Sequence, residues 1–388
     1  MAEHLPDTAW IHRADLTALV AALGSNNARY VGGAVRDTLL GIEVKDVDIA
    51  TPLRPDEVIA SLDAAGIRNV PTGIDHGTVT AVLDEGPVEI TTLRHDVSTD
   101  GRRATVAFAS EWREDAARRD FTINALYTDP TTLEIFDYFG GLEDLDARRV
   151  RFIGNARQRI REDHLRILRY FRFQARFGSQ PADEDSENAC AELAATLKGL
   201  SRERVGMEMM NLLGLADPAP TLARMAQLGV LAVILPEADP TPLTALVAQE
   251  QRQAVGPDAI RRLAAMLPAD PALAEQVASR FRLSGVQKKR LTVAAGRNGE
   301  RGDPRALAYF LGIDQAIDRL LLQNADIAAL IDWEIPEFPL KGGEIVARGI
   351  SAGPEVARIL QSVESRWVAE GFPDRDRVAQ LLSEELAR

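Results

Sequence analysis

The apolar positions of this chain follow two periods, and the change from one to the other divides it in two. Over the first 140 or so residues, the short runs ARYVGGAV, KDVDIAT, TVTAVLDE and VEITTLR read as strands, separated by turns such as Asp84-Glu85-Gly86-Pro87. Helical spacing interrupts them over 14–23, where Gly24 supplies the stop, and over 34–40. A third helix is predicted over 55–65, where Pro55-Asp56-Glu57 puts a proline and two acids in the first turn. From about 155 onward the strand signals fade. ARQRIREDHLRILRYFRFQARF, SENACAELAATLKGL, SRERVGMEMMNLLG and TLARMAQLGVLAVI are amphipathic, with Pro-rich breaks near 216–220, 236–242 and 267–271. The pattern predicts a mixed α+β head and an all-α remainder, without internal repeats or low-complexity tracts.

Length and composition sharpen this. At 388 residues the chain exceeds one ordinary core, so several structural units are expected. Hydrophobic residues make up 46% and charged residues 27%, the balance of a soluble globular protein. No apolar run approaches the length of a membrane span, and MAEHLPDTAW does not read as a signal peptide, so a cytoplasmic location without a membrane partner is expected. The single cysteine, Cys190, excludes an intramolecular disulfide and a multi-cysteine metal site, and is expected as a small buried residue. Trp10, Trp112, Trp333 and Trp367 are expected to pack rather than stack on bases. The net charge of −13 argues against a nucleic-acid partner, but its distribution argues the other way. Between Arg148 and Arg176 ten arginines stand against Glu162 and Asp163, and guanidinium forks suit phosphates and base edges.

Four stretches carry candidate chemistry. Gly32-Gly33 follows a strand and opens a helix, where backbone N–H groups can approach an anion, with Arg36 one turn on; alone a double glycine is more often just a tight turn. In KDVDIAT, Asp46 and Asp48 fall on one face if the segment is extended. Hard oxygen ligands so placed suit Mg²⁺, which binds one or two carboxylates plus substrate phosphates, and Glu89 of the strand VEITT can add a third. Their other reading is a solvated pair on an edge strand. RRDFTINA presents Asp120 and Asn124 together whether extended or helical, suited to ribose hydroxyls, with Arg119 near a triphosphate; a helix start rich in local hydrogen bonds is the alternative. On one continuous helix, REDHLRILRYFRF places Asp163 and Arg166 at i, i+3 beside an apolar stripe of Leu165, Leu168 and Phe171. An Asp–Arg pair matches the amino group and bare ring nitrogen shared by cytosine and adenine, and mismatches uracil and guanine. A surface salt bridge is the plainer reading.

In this order the stretches resemble the class II CCA-adding enzymes (tRNA nucleotidyltransferases) and the related bacterial poly(A) polymerases. YVGGAVRDTLLG with KDVDIAT resembles the metal and triphosphate motif, RRDFTINA the ribose motif, and FDYFGGLEDL a hinge-like third motif. EDHLR resembles the nucleotide-selecting motif and SRERVGMEMMNLLG a fifth, helix-capping one. A weaker likeness continues through LGVLAVILPE and FPLKGGEIVARGISAGPEVARIL. The resemblance implies a polymerase-beta-like nucleotidyltransferase head over 1–140, a helical neck over 141–205, a helical body over 206–290 and a helical, tRNA-binding tail over 291–388. It implies that Asp46 and Asp48 bind Mg²⁺, that Gly33 and Arg36 bind the triphosphate, and that Arg119, Asp120 and Asn124 hold sugar and phosphates. Asp163 and Arg166 would then read the base, flanked by Arg169 and Arg172. The implied substrates are CTP, ATP and the 3′ end and acceptor arm of tRNA, whose terminal hydroxyl attacks while pyrophosphate leaves.

The sub-function rests on finer features. LRHDVSTDGRRATVAFASEWREDAARRD looks full length, which favours complete CCA addition over CC-only addition. Poly(A) members carry a GRRF-like segment where this chain has TGIDHGTVTAV. No HD-type phosphohydrolase extension is evident. CC-only, A-only and poly(A) addition stay open as alternatives, as does a nucleotide- or RNA-binding module without catalysis. The oligomeric state is not legible.

Overall fold

The structure, a computed structural model, describes residues 4–100, 103–299 and 302–387. Gly101 and Arg102, inside the segment whose full length favours complete CCA addition, lie outside the described residues. The chain forms two compact units, Met1–Glu208 with Arg224–Pro236, and Met209–Ala223 with Glu237–Arg388.

The first unit is built on a mixed sheet. Its strands are β1 (Arg29–Val31), β2 (Asp48–Thr51), β3 (Asn69–Gly73), β4 (Thr78–Leu83), β5 (Gly86–Thr92), β8 (Leu126–Thr128) and β9 (Ile135–Asp137), in the order β3-β4-β5-β2-β1-β8-β9. β6 (Arg94–Asp100) and β7 (Arg103–Phe108) form a separate hairpin. At the centre β2 runs parallel to β5, pairing Asp48 with Glu89 and Ile49 with Ile90. Alternation then follows from the pleat: Ile49 and Ile90 are buried, while Asp48 and Glu89 face the open side. At one edge β3 contains Pro71 and its pairing with β4 slips register between Val70 and Gly73.

Helix α1 (Ala14–Leu23) buries Leu16, Leu19, Val20 and Leu23, an i, i+3, i+4, i+7 stripe, and ends at Gly24 with φ +84°. α2 (Gly33–Leu39) follows β1 directly, and α3 (Pro55–Ala64) starts at Pro55 with the Arg54 N–H donating to Glu57 Oε2 at 2.7 Å. α4 (Trp112–Ala117), α5 (Gly141–Asp146), α6 (Ala156–Glu162), α7 (Arg166–Phe177) and α8 (Glu184–Leu193) follow, with α9 (Arg202–Leu213) beyond them. Two elements differ from expectation. The continuous helix expected over 156–177 is broken at Asp163, whose extended backbone (φ −149°, ψ 107°) ends α6 before Leu165 caps α7. The segment RRDFTINA is neither a strand nor an α-helix: Thr122–Asn124 form one 3₁₀ turn.

After α10 (Ala219–Gln227) and α11 (Val230–Ile234), the second unit is helical. Its elements are α12 (Thr241–Arg252), α13 (Ala259–Met266), α14 (Pro271–Arg280), α15 (Gly285–Ala295), α16 (Pro304–Leu311) and α17 (Ile313–Leu322), then α18 (Gly342–Val346), α19 (Pro354–Ala369) and α20 (Arg375–Leu386). Asp258, Asp270, Ser284, Asp303 and Asp374 each accept a backbone N–H at a helix start, which is why five of these helices begin where they do. Trp367 anchors the last core, with its indole N–H donating to the Pro373 carbonyl at 2.7 Å. Deep in this unit Glu250 accepts from Arg261 Nε at 2.7 Å and Arg262 Nε at 2.9 Å. Asp318 accepts from Arg290 Nε at 2.6 Å and Arg261 Nη1 at 3.2 Å.

Candidate active site

The open face of β2 and β5 carries the acidic centre. Asp48 opens β2 beside Glu89, whereas Asp46 lies just ahead of the strand in irregular chain. Among the described residues none of these three carboxylates makes a hydrogen bond or an ion pair. The protein around Asp48 disfavours its charge, Glu89 adds repulsion, and Arg119 offsets only part of this, so its pKa is pushed up to about 6. The described residues hold no group of three Asp, Glu, His or Cys side chains close enough to share a metal. The acidic centre is therefore a pair or loose trio of carboxylates.

Above it, β1 ends in the turn Gly32-Gly33. Gly32 sits at φ +69°, ψ −118°, and a Cβ there would come within 3.3 Å of Arg119 Nη1. Both the backbone and the approach of the guanidinium thus require glycine. Arg119 is held from behind: its Nε donates to the Tyr127 hydroxyl at 3.1 Å and its Nη2 to Asp115 at 3.4 Å. Burial works against its charge, but Tyr127 and Asp115 more than offset that, and its pKa is raised.

Behind the turn runs a chain of charge-assisted bonds. Arg36, buried on α2, donates Nη1 to Asn124 Oδ1 and Nε to Asp37 at 2.8 Å, with its guanidinium 4.2 Å from the Phe177 ring centre. Asn124 Nδ2 donates to Asp120 Oδ1 at 3.1 Å, and Asp120 Oδ2 accepts from Arg169 Nε at 2.7 Å. Arg172 Nε donates to Glu208 at 2.6 Å. Burial alone would raise the Asp120 pKa; Arg169 and Asn124 outweigh it and hold the carboxyl below its ordinary value. Asp120 and Asn124 are only 9% and 8% exposed, so they act first as a brace between Arg36 and Arg169.

The Arg166 N–H donates to the Asp163 carbonyl at 3.0 Å, but the two side chains do not pair with each other. Asp163 Oδ2 accepts from Arg204 Nη2 at 2.7 Å and Oδ1 from the Leu165 N–H at 3.1 Å. Arg166 Nη1 donates to Glu162 at 2.7 Å, and its Nη2 to the Arg118 carbonyl at 3.1 Å. The break between α6 and α7 is what separates them from the i, i+3 geometry of one helix. The structure thus brings together Gly32, Gly33, Arg36, Arg119, Asp120 and Asn124 as one wall, and holds Asp163 and Arg166 on separate tethers. Residues that sequence reasoning passed over are Asp115, Tyr127, Arg204 and Glu208. Asp115 was findable, since it precedes Arg118 and Arg119 by three and four residues; Tyr127 reaches Arg119 only by a strand's return, and Arg204 and Glu208 act across long sequence separations.

Residues 28–151 match the Poly A polymerase head domain, and residues 182–241 match the probable RNA- and SrmB-binding site of polymerase A. The chain is 36% identical over 380 residues to the human mitochondrial CCA tRNA nucleotidyltransferase 1, covering 90% of this chain and 84% of that protein. The chain belongs to the CCA tRNA nucleotidyltransferase family. Members of this family are nucleotidyltransferases, and so is this protein. Over a shorter span, 48% of this chain and 46% of the relative, it is 38% identical to the CCA-adding enzyme of Staphylococcus aureus strain Newman. The solved Bacillus stearothermophilus CCA-adding enzyme in complex with CTP superposes with a TM-score of 0.77 at 27% identity, over 96% of this chain and 98% of that one. A Thermotoga maritima CCA-adding enzyme complexed with tRNA shares the fold, with a TM-score of 0.72 at 22% identity, over 100% of this chain and 99% of that one. The expected α+β head with a helical remainder is therefore this family's architecture. No helix among the described residues is long and apolar enough to cross a membrane.

Proposed function

We propose that this protein adds C, C and A, without a nucleic-acid template, to the 3′ end of tRNA, using CTP and ATP and releasing pyrophosphate. The observation that carries the reading is the set of unpaired carboxylates of Asp46, Asp48 and Glu89 under the Gly32-Gly33 turn and Arg119, in a chain of this family. Uncompensated carboxylates on an open sheet face fit a divalent cation, because one would relieve both their mutual repulsion and the raised Asp48 pKa. We assign Mg²⁺ to Asp46 and Asp48, with Glu89 beside them. When bound, the metal supplies charge for the attacking and leaving oxygens of an in-line displacement.

The remaining work falls to the protein. Gly32 and Gly33 let the backbone approach the triphosphate, while Arg36 and Arg119 hold its charge and aim the α-phosphorus at the tRNA hydroxyl. Asp120 and Asn124 brace Arg36 against Arg169, and Asn124 Nδ2 keeps one N–H for a sugar hydroxyl. Asp163 and Arg166 face cytosine and adenine with an acceptor and a donor, with Arg169 and Arg172 alongside. We assign residues 1–140 to the catalytic head, 141–205 to the neck, 206–290 to the body and 291–388 to a tRNA-binding tail, and place the enzyme in the cytoplasm. Purified protein with CTP and ATP should extend a tRNA lacking its 3′ terminus by C, C and A and then stop. Indefinite A-tailing would move it to poly(A) polymerase, and arrest after two C to a CC-only enzyme.

A further inference from the structure

Arg119 touches the Gly32 turn at one end and is tied to buried groups at the other. At the tied end stands Tyr127, fully buried on β8. Its hydroxyl donates to Asp115 Oδ2 at 2.6 Å and accepts from Arg119 Nε at 3.1 Å, so one oxygen links the carboxylate to the guanidinium. The ring is fixed independently of that oxygen, by edge-on contacts with Trp112 at 5.9 Å and Tyr138 at 6.1 Å between centroids. β8 also carries the turn itself: Tyr127 pairs with Val31, and the Gly32 N–H donates to the Leu126 carbonyl at 3.1 Å.

We propose that Tyr127 is a positioning residue for nucleotide binding, its hydroxyl fixing Arg119 so that Nη1, which also reaches the Asn124 carbonyl at 3.4 Å, stays against the Gly32 turn where the triphosphate is held. The proposal rests on the nucleotidyltransfer reading above. An arginine side chain has several rotatable bonds, and each tether that fixes one lowers the cost of presenting it to an anion. Asp115 and the Asn124 carbonyl each sit at a long 3.4 Å, which makes the phenol, at 3.1 Å, the shortest of the three tethers on Arg119. Burial raises the Tyr127 pKa and keeps the phenol protonated, as a donor to Asp115 requires.

The test is Tyr127→Phe in the full chain, which removes only the oxygen and leaves the ring packing, with initial rates of CTP incorporation into a tRNA lacking its 3′ CCA. The expected result is a KM for CTP raised about 10-fold, a kcat within about 2-fold of wild type, and a nearly unchanged melting temperature. Combined with Arg119→Ala, the Tyr127→Phe effect should vanish, because the residue acts only through that guanidinium. A wild-type KM in Tyr127→Phe, or an effect that multiplies undiminished onto Arg119→Ala, overturns the proposal. A wild-type protein that incorporates no nucleotide overturns the functional reading and this proposal with it; an active wild type with an unaffected variant overturns this proposal alone.

Discussion

Two groups of carboxylates in this molecule have opposite surroundings. In the second unit, Glu250 and Asp318 are 1% and 0% exposed, and each accepts from two arginines. In the first unit, Asp46, Asp48 and Glu89 are open to solvent and have no hydrogen-bond or ion-pair partner among the described residues. The buried pair has its counter-charges built into the sequence, so its effect is internal. The open group lacks them, and its charge is available to something that arrives. Acidic residues alone therefore do not mark a site; the proposed assignment rests on three that lie together without partners among the described residues at the open end of β2 and β5.

The sharpest test of this contrast is removal of one open carboxylate. Asp48→Asn should lower nucleotide incorporation on the order of 10³-fold while the protein stays folded by circular dichroism. The reverse is expected of Glu250→Gln, which removes the buried negative charge shared by the Arg261 and Arg262 guanidinium groups: stability should fall by roughly 3–5 kcal/mol in denaturant unfolding, with the activity of the remaining folded fraction largely kept. Equal losses of activity from both substitutions would erase the distinction. Between these lies the Asp163 and Arg166 pair, tethered yet partly open. Asp163→Ala or Arg166→Ala should reduce discrimination against UTP and GTP by about 10- to 100-fold in competition assays; full discrimination in both would remove base reading from these residues.

The smallest effect concerns pH. Asp48 binds its proton more tightly in the folded chain than its ordinary value of 3.8, with a folded pKa of about 6. In metal-free protein its stabilising contribution is therefore complete below its unfolded pKa and is lost as the pH rises through about 6. Asp48→Asn should accordingly stabilise the metal-free protein at pH 8, by on the order of 1 kcal/mol once solvent screening of this open group is allowed for, and much less at pH 4. Added Mg²⁺ should reverse the order by stabilising wild type alone. Thermal melts with and without the ion decide it.

Much of this was readable in the chain. The head-to-helix transition, the Gly32-Gly33 turn and the order of the motifs all follow from local pattern. The pairing of Asp48 with Glu89 was not, because the register of parallel strands some forty residues apart is set by the whole sheet and not by either strand. The break at Asp163 was hidden because Ile160 and Ile167, buried on either side of it, keep the i, i+7 spacing of one helix. The 3₁₀ turn at Thr122–Asn124 was hidden because Asp120 and Asn124 share a side in an α-helix and in a strand alike. Cys190 is buried as expected, and the tryptophans pack: Trp10 lies edge-on to Tyr30 and Trp333 against Phe372.

The slipped, proline-bearing strand β3 bears on how the head behaves at high concentration. Pro71 offers no N–H, and the irregular register interrupts the ladder beside it, so a second extended chain meets a broken row of donors and acceptors there. Stacking of heads into fibrils through that margin is thereby discouraged, even though Val70 leaves an apolar side chain in water.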